Sequence, residues 1–178
     1  MKDARQVSEE VLVTTQDLTT VSRQDIERLK DWSRRTRRGR IRLCAHRDLD
    51  ASVHEMLIVH PKGAYVRPHK HAGKEESLHL IEGAITVVIF ADDQSVRTVI
   101  PMGEYGTGRA FYYRLAADIY HTLLIESEHV VFHEATSGPF RKADMVIAPW
   151  APAEEDQPAV ERFLQMLSGQ VEALQVHA

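Results

Sequence analysis

The sequence lacks the features that define several large classes of protein. A single cysteine, Cys44, excludes an internal disulfide and fits a reducing compartment. The longest apolar run, AITVVIFA at 84–91, is far shorter than the roughly 20 residues that a membrane helix needs. The opening MKDARQVSEE has no apolar core of the kind found in signal peptides. We therefore expect a cytoplasmic protein that has no membrane partner.

Neither sign of charge dominates the composition. Lysine and arginine total 22 against 26 acidic residues, so the net charge of -4 gives no general attraction for nucleic acid. Six arginines are nevertheless clustered in RRTRRGRIR at 34–42. This cluster is either the solvated last turn of a helix that Gly39 stops, or an anion-binding edge for a phosphorylated ligand. It has no interleaved aromatic residues and so is not a stacking platform for bases, and we do not expect a nucleic-acid partner.

The length of 178 residues and the hydrophobic content of 43% indicate one compact domain. Within it we expect an N-terminal extension with a helix at 1–40, a β-barrel at 41–137, and a proline-rich connector with a C-terminal helix at 138–178. Ser22, with Asp25 three positions later, predicts the start of the first helix, which would run to about Arg35.

The second helix is predicted from apolar residues that recur on one helical face. This stripe should pack against the barrel or against a second subunit, and we expect a homodimer. Its members are Val160, Phe163, Leu164, Leu167, Val171 and Leu174.

The region between the helices is rich in short β-type runs separated by turn residues. Eight such runs at near-even spacing predict an antiparallel sandwich or barrel, so the fold class is all-β with flanking helices. The runs are VHEMLIV, AYVRPHKH, SLHLI, AITVVIF, SVRTVI, AFYYRL, IYHTLLI and HVVFHEA.

The stretch HKHAGKEES at 69–77 is either a metal site or a polar strand end. Alternate side chains of a strand share a face, so His69 and His71 should project into the same space. Their separation of about 6.6 Å lets two imidazoles converge on one ion. Glu76 could close a third side after the turn, and His121 is the best-placed fourth ligand.

The segment from Gly63 to Gly83 has the form G-x5-H-x-H-x4-E-x6-G, which resembles the first motif of the cupin superfamily without a gap. More narrowly, RLCAHRDL, GAYVRPHKH and SGPF…APWAP resemble the WbuC family of cupin-fold metalloproteins over about residues 40–153. The resemblance implies a double-stranded β-helix, or jelly-roll barrel, with a metal held by three histidines and one glutamate. On this chain those ligands would be His69, His71, Glu76 and His121.

The second cupin motif is degraded here, because Ala116, Asp118 and Ile125 replace its usual proline, glycine and asparagine. His133 is therefore the alternative last ligand, followed by His129. Mixed imidazole and carboxylate ligation suits a divalent transition metal such as iron, manganese, zinc or nickel.

Three further residues are candidates for catalysis. Arg67 could grip a carboxylate or phosphate, while Tyr65 and Tyr113 could supply a proton; the alternatives are an internal ion pair and simple packing. The resemblance implies either a metal-dependent enzyme, of dioxygenase or isomerase type, on a sugar-like or nucleotide-sugar substrate, or a non-catalytic module that binds or senses a small ligand. A metal-free histidine–tyrosine acid/base pair explains the spacing poorly.

Overall fold

The computed structural model describes residues 3–176, which form two facing β-sheets with one α-helix on the outside of each. The strands are β1 (Ala4–Ser8), β2 (Val11–Thr14), β3 (Ile41–Cys44), β4 (Val53–Pro61), β5 (His69–His71), β6 (Glu76–Glu82), β7 (Ala84–Phe90), β8 (Val96–Gly103), β9 (Tyr112–Leu115), β10 (His121–Ile125), β11 (His129–Ser137) and β12 (Met145–Ile147). The helices are α1 (Arg23–Ser33) and α2 (Gln157–Val176). Among the described residues, neither helix combines the length and the apolar character needed to cross a membrane.

The strand order is that of a jelly roll. One sheet has the order β1-β2-β3-β4-β11-β6-β9 and the other has the order β12-β5-β10-β7-β8. The eight strands β4 to β11 divide equally between the sheets, and their pairings are antiparallel, whereas β2 and β3 pair in parallel. The predicted double-stranded β-helix with flanking helices is therefore confirmed.

Strand β7 lies inside the five-stranded sheet, and its sequence is almost entirely apolar because both of its faces are covered. Ile85, Val87 and Ile89 face the barrel interior, whereas Val88 and Phe90 face outwards and contact residues of α2. A strand that is covered on both faces has no position for a polar side chain exposed to water.

Helix α1 covers the outer face of the seven-stranded sheet. It begins with the predicted capping box, in which Ser22 and Asp25 bond to each other's backbone N–H groups. Ile26 and Leu29 are buried against that sheet, and Trp32 packs at the edge of the same cluster. The helix ends at Ser33, two residues before the predicted end.

Helix α2 covers the outer face of the five-stranded sheet. Four of its six stripe residues are buried: Val160, Phe163, Leu167 and Val171. Trp150, in the segment before the helix, contacts the rings of Phe90, Tyr120 and Phe163. The stripe therefore packs against the barrel of its own chain, and the homodimer remains a prediction.

The structure differs from the prediction in the length of one strand and in the number of strands. The predicted strand at 64–71 is regular only as β5, because Pro68 has no N–H group to donate to a ladder and residues 64–68 run outside the sheet. Strands β1, β2, β3 and β12 extend the sheets beyond the eight predicted strands. The arginine cluster lies in the turn between α1 and β3 and in β3 itself.

Candidate metal centre

Three imidazoles converge at one end of the barrel. Strand β5 places His69 and His71 on its inner face, and His121 at the start of β10 pairs directly with His69. The ring centroid of His69 lies 4.9 Å from that of His71 and 4.7 Å from that of His121. One possible ligand atom from each of the three residues lies within 4.8 Å of the others. These three histidines could bind a metal ion.

Hydrogen bonds to the backbone orient two of these rings. Nδ1 of His69 lies 2.8 Å from the carbonyl oxygen of Arg67, and Nδ1 of His121 lies 3.0 Å from that of Ile119. A carbonyl oxygen only accepts, so each Nδ1 carries a proton, and Nε2 is the nitrogen left to face a metal ion. Rings fixed in this way by a backbone acceptor are typical of histidines that ligate a metal, so the residues fit such an ion.

Glu76 brings a carboxylate from the opposite sheet to the three histidines. Its side chain is 5% exposed and shares the inner face of β6 with Leu78. The carboxylate oxygens lie 3.0 Å from Nε2 of His71 and 3.2 Å from Nε2 of His121. Tyr113 donates a hydrogen bond of 2.8 Å to the same carboxylate. Four of the predicted ligands are thus side by side, and we refer to them together as the histidine–glutamate cluster.

Burial and hydrogen bonds shift the pKa values of the residues in and beside this cluster. Burial alone would raise the pKa of Glu76, but the hydrogen bonds with His121 and His71 outweigh it and hold that pKa well below its usual range. Burial lowers the pKa of His69 to about 4, and the charge of His121 acts in the same direction. Burial and the neighbouring Glu76 charge raise the pKa of Tyr113 well above 10, so the hydroxyl keeps its proton.

The alternative last ligands, His133 and His129, lie on β11 and away from the cluster. His133 is directed to the outer face, where its Nε2 lies 3.8 Å from a carboxylate oxygen of Glu55. His129 shares the parity of His133 and has its Nδ1 3.9 Å from Glu128. His79 pairs with His133 in register and packs against the ring of Phe111. Of the candidates for the last position, His121 is the one that the structure brings to His69 and His71.

The placement expected for Tyr65 and Arg67 is wrong. Tyr65 donates to the carbonyl oxygen of Pro152 at 3.1 Å and packs against Phe163 of α2. Arg67 donates to the carbonyl oxygen of Ala151 at 2.9 Å. The alternation that would have put both beside His69 holds only in a regular strand, and residues 64–68 are not one. Their side chains contact the C-terminal segment.

Glu134 is a residue at the site that the sequence argument missed. It has the same parity on β11 as Val130 and Phe132, which both lie in the barrel core. Burial raises the pKa of its carboxyl group to about 7, and the charge of Glu76 acts in the same direction. The pattern VVFHEA contains the clue, since Glu134 and Phe132 alternate with the outward-facing His133.

A large open cavity leads to the histidine–glutamate cluster. Its volume is about 1000 Å³, and His69, His71 and Glu134 are among its lining residues. Much of the opposite wall comes from the inner faces of β2, β3 and β4. A small molecule bound at the cluster would therefore have room to extend along the seven-stranded sheet.

Comparison with known proteins supports the fold and leaves the activity open. The model of a family described as "Domain of unknown function (DUF6016)" matches residues 21–102, which include His69, His71 and Glu76. No curated protein matches the chain. A solved structure of a Shewanella oneidensis protein is similar with a TM-score of 0.51 at 11% identity, over 62% of this chain and 75% of that one.

Two oxalate decarboxylases are also structurally similar, each with a TM-score of 0.43. The Lactobacillus farciminis enzyme is 17% identical over 56% of this chain and 28% of its own. The Bacillus subtilis enzyme, which has Mn(II) centres, is 20% identical over 54% of this chain and 24% of its own. The match thus spans about a quarter of each decarboxylase. Fold and site together define a cupin-fold protein with a three-histidine cluster suited to a metal ion.

Proposed function

We propose that this chain is a metal-binding cupin of the WbuC type in which His69, His71, His121 and Glu76 hold one divalent transition metal ion. The observation that carries the proposal is the convergence of three imidazoles, two of which are oriented by backbone carbonyls and two of which contact the buried Glu76 carboxylate. Iron, manganese, zinc and nickel all accept this ligand set. When bound, such an ion polarises substrate oxygen atoms or, for a redox metal, supports reaction with dioxygen.

We further propose that the protein is a metal-dependent enzyme, of dioxygenase or isomerase type, that acts on a small oxygen-rich substrate such as a sugar or nucleotide sugar. Two residues beside the ligands provide the chemistry of the protein itself. Tyr113 holds the Glu76 carboxylate in place through its hydroxyl group. Glu134 has a pKa of about 7, so its carboxyl group can release or take up a proton near neutral pH.

The metal is tested by elemental analysis of protein purified without added metal and without a histidine-rich tag. We expect about one metal ion per wild-type chain and nearly none in His69→Ala/His71→Ala, because the loss of two ligands removes most of the binding energy. His79→Ala/His133→Ala is the matched control, since both of its histidines face away from the cluster. A wild-type protein that stays metal-free after reconstitution would contradict the proposal.

A non-catalytic role in ligand binding is the second candidate, and the positions of Tyr65 and Arg67 favour it. Both side chains contact the C-terminal segment, so fewer reactive groups surround the histidines than the sequence suggested. Oxygen uptake and product formation, measured on iron-loaded and manganese-loaded protein with sugar and nucleotide-sugar substrates, separate the two candidates. Turnover that changes with the metal supports the enzyme, whereas ligand binding without turnover supports the binding module.

A further inference from the structure

The cavity beside the histidine–glutamate cluster continues as a groove along the inner face of β4. Alternate residues of this strand line it: His54, Met56, Ile58 and His60. Thr136 of β11 pairs with both Glu76 and His54, so His54 lies level with the cluster at a distance of two strand spacings, about 10 Å. His60 lies six residues farther along the strand, about 20 Å from His54. The groove is therefore much longer than a metal site requires.

Two buried imidazoles in the wall of this groove each have one nitrogen with no hydrogen-bond partner among the described residues. His54 is 4% exposed and His60 is 8% exposed. Among the described residues, nothing bonds to Nε2 of His54 or to Nδ1 of His60. A buried nitrogen without a partner costs free energy, which a bound ligand with hydroxyl or carbonyl groups would recover. Burial holds the pKa of His60 at about 3, so its ring is neutral and can donate and accept.

The same groove is lined by more basic than acidic side chains. Arg38 and Arg40 are held by Glu10 and Glu154. By contrast, the side chains of Arg37 and Arg42 make no hydrogen bond or ion pair within residues 3–176. Arg42 lies beside Ile58 in register and has the same parity as Cys44, which faces the barrel core. Two guanidinium groups that have no partner in the described part of the chain thus border a groove with an apolar floor.

We propose that the groove binds the remote part of an elongated organic phosphate, with the phosphate against Arg37 and Arg42. This inference rests on the proposed function, because the reacting end of the same molecule would lie at the histidine–glutamate cluster. Guanidinium groups bind phosphate through paired hydrogen bonds. The apolar floor formed by Met56 and Ile58 suits a flat or carbon-rich group, and His54 and His60 suit hydroxyl or carbonyl groups.

Calorimetric titration of metal-reconstituted protein with UDP-glucose, and separately with glucose, tests this proposal. We expect UDP-glucose to bind and glucose to bind far more weakly, because glucose reaches only the cluster. In Arg37→Gln/Arg42→Gln the dissociation constant of UDP-glucose should rise about tenfold or more. Higher salt should weaken binding to the wild type more than binding to this variant.

The matched control is Arg28→Gln/Arg34→Gln, which removes the same charge from exposed positions of α1 and its C-terminal cap. It should leave the dissociation constant within about twofold. Equal affinities in the two double variants, or no binding of UDP-glucose to the wild type, would overturn the groove proposal. Metal analysis of the same samples keeps the two proposals apart: a metal-free protein contradicts the proposed function, whereas binding that depends on Arg37 and Arg42 still supports the groove.

Discussion

His60 is a titratable residue whose burial has a measurable effect on stability. Its ring lies in the barrel interior with its centroid 5.8 Å from that of Phe132. Burial, followed by the charge of Arg40, lowers its pKa from 6.5 to about 3. Between these two pH values the unfolded chain binds a proton that the folded protein does not, so the free energy of unfolding falls as the pH falls through this window.

We predict that His60→Phe removes this part of the pH dependence. Between pH 6 and pH 4 the wild type should lose about 1.4 kcal/mol per pH unit more than the variant, since a single proton is involved. Urea unfolding at pH 4, 5, 6 and 7 measures how the free energy of unfolding changes with pH in the wild type and in the variant. His60→Gln serves as a second variant that keeps a polar side chain, and parallel slopes for the wild type and both variants would contradict the argument.

The cluster residues differ in how far the sequence could predict them. His69 and His71 were predictable because a spacing of two determines a common face within a strand, and Glu76 and His121 begin strands at the same end of the barrel. The positions of Tyr65 and Arg67 were not predictable by the same rule. Side chains alternate between the two faces only within a strand, and β5 begins after Pro68.

At the scale of elements, the turn between β6 and β7 depends on a glycine. Gly83 has a φ of +93°, and its N–H group donates to a carboxylate oxygen of Glu104 at 3.0 Å. An added Cβ would collide with the carbonyl oxygen of His129 and the hydroxyl of Ser127. Both the backbone conformation and the available space therefore require glycine in this hairpin.

Alanine substitutions at two glycines should have opposite effects on stability. Gly83→Ala should lower the free energy of unfolding by about 2 kcal/mol or more, because the turn must shift. Gly169→Ala should raise it by about 0.5–1 kcal/mol, because Gly169 lies in α2 with open space around its Cα and alanine favours a helix. Chemical denaturation of the two variants and the wild type checks both signs, and a neutral Gly83→Ala would refute the steric argument.

Elements were predictable where the pattern was long and local. The eight barrel strands combine apolar runs with turn residues, and α1 has a capping box, so each carries its own evidence. Strands β3 and β12 contain four and three residues and form because a neighbouring strand offers free hydrogen-bonding groups. A stretch of three or four residues is too short to show a strand pattern in its own sequence, so these strands could not be predicted.

At the scale of the whole molecule, the histidine–glutamate cluster joins the two sheets. Glu76 belongs to the seven-stranded sheet, whereas His69, His71 and His121 belong to the five-stranded sheet. A metal ion held by all four would bind the folded chain and not the unfolded one. Its binding free energy would therefore add to the stability of the entire barrel.

Removal of the metal should accordingly lower the melting temperature of the protein. At a free metal concentration of 100 times the dissociation constant, linkage gives about 2.7 kcal/mol, which corresponds to roughly 5–10 °C for a chain of this length. Calorimetric melting with and without a chelator measures the shift. His69→Ala/His71→Ala should melt at the same temperature in both conditions, and a chelator effect of wild-type size in that variant would place the metal elsewhere.

The two tryptophans stand on opposite sides of the barrel. Trp32 packs at the cluster under α1, and Trp150 contacts aromatic rings beneath α2. The intrinsic fluorescence of the chain therefore has two sources, each of which senses the burial of one helix. Replacing either tryptophan with phenylalanine leaves an optical reporter for the other helix, so the detachment of each from its sheet can be timed separately in a stopped-flow instrument.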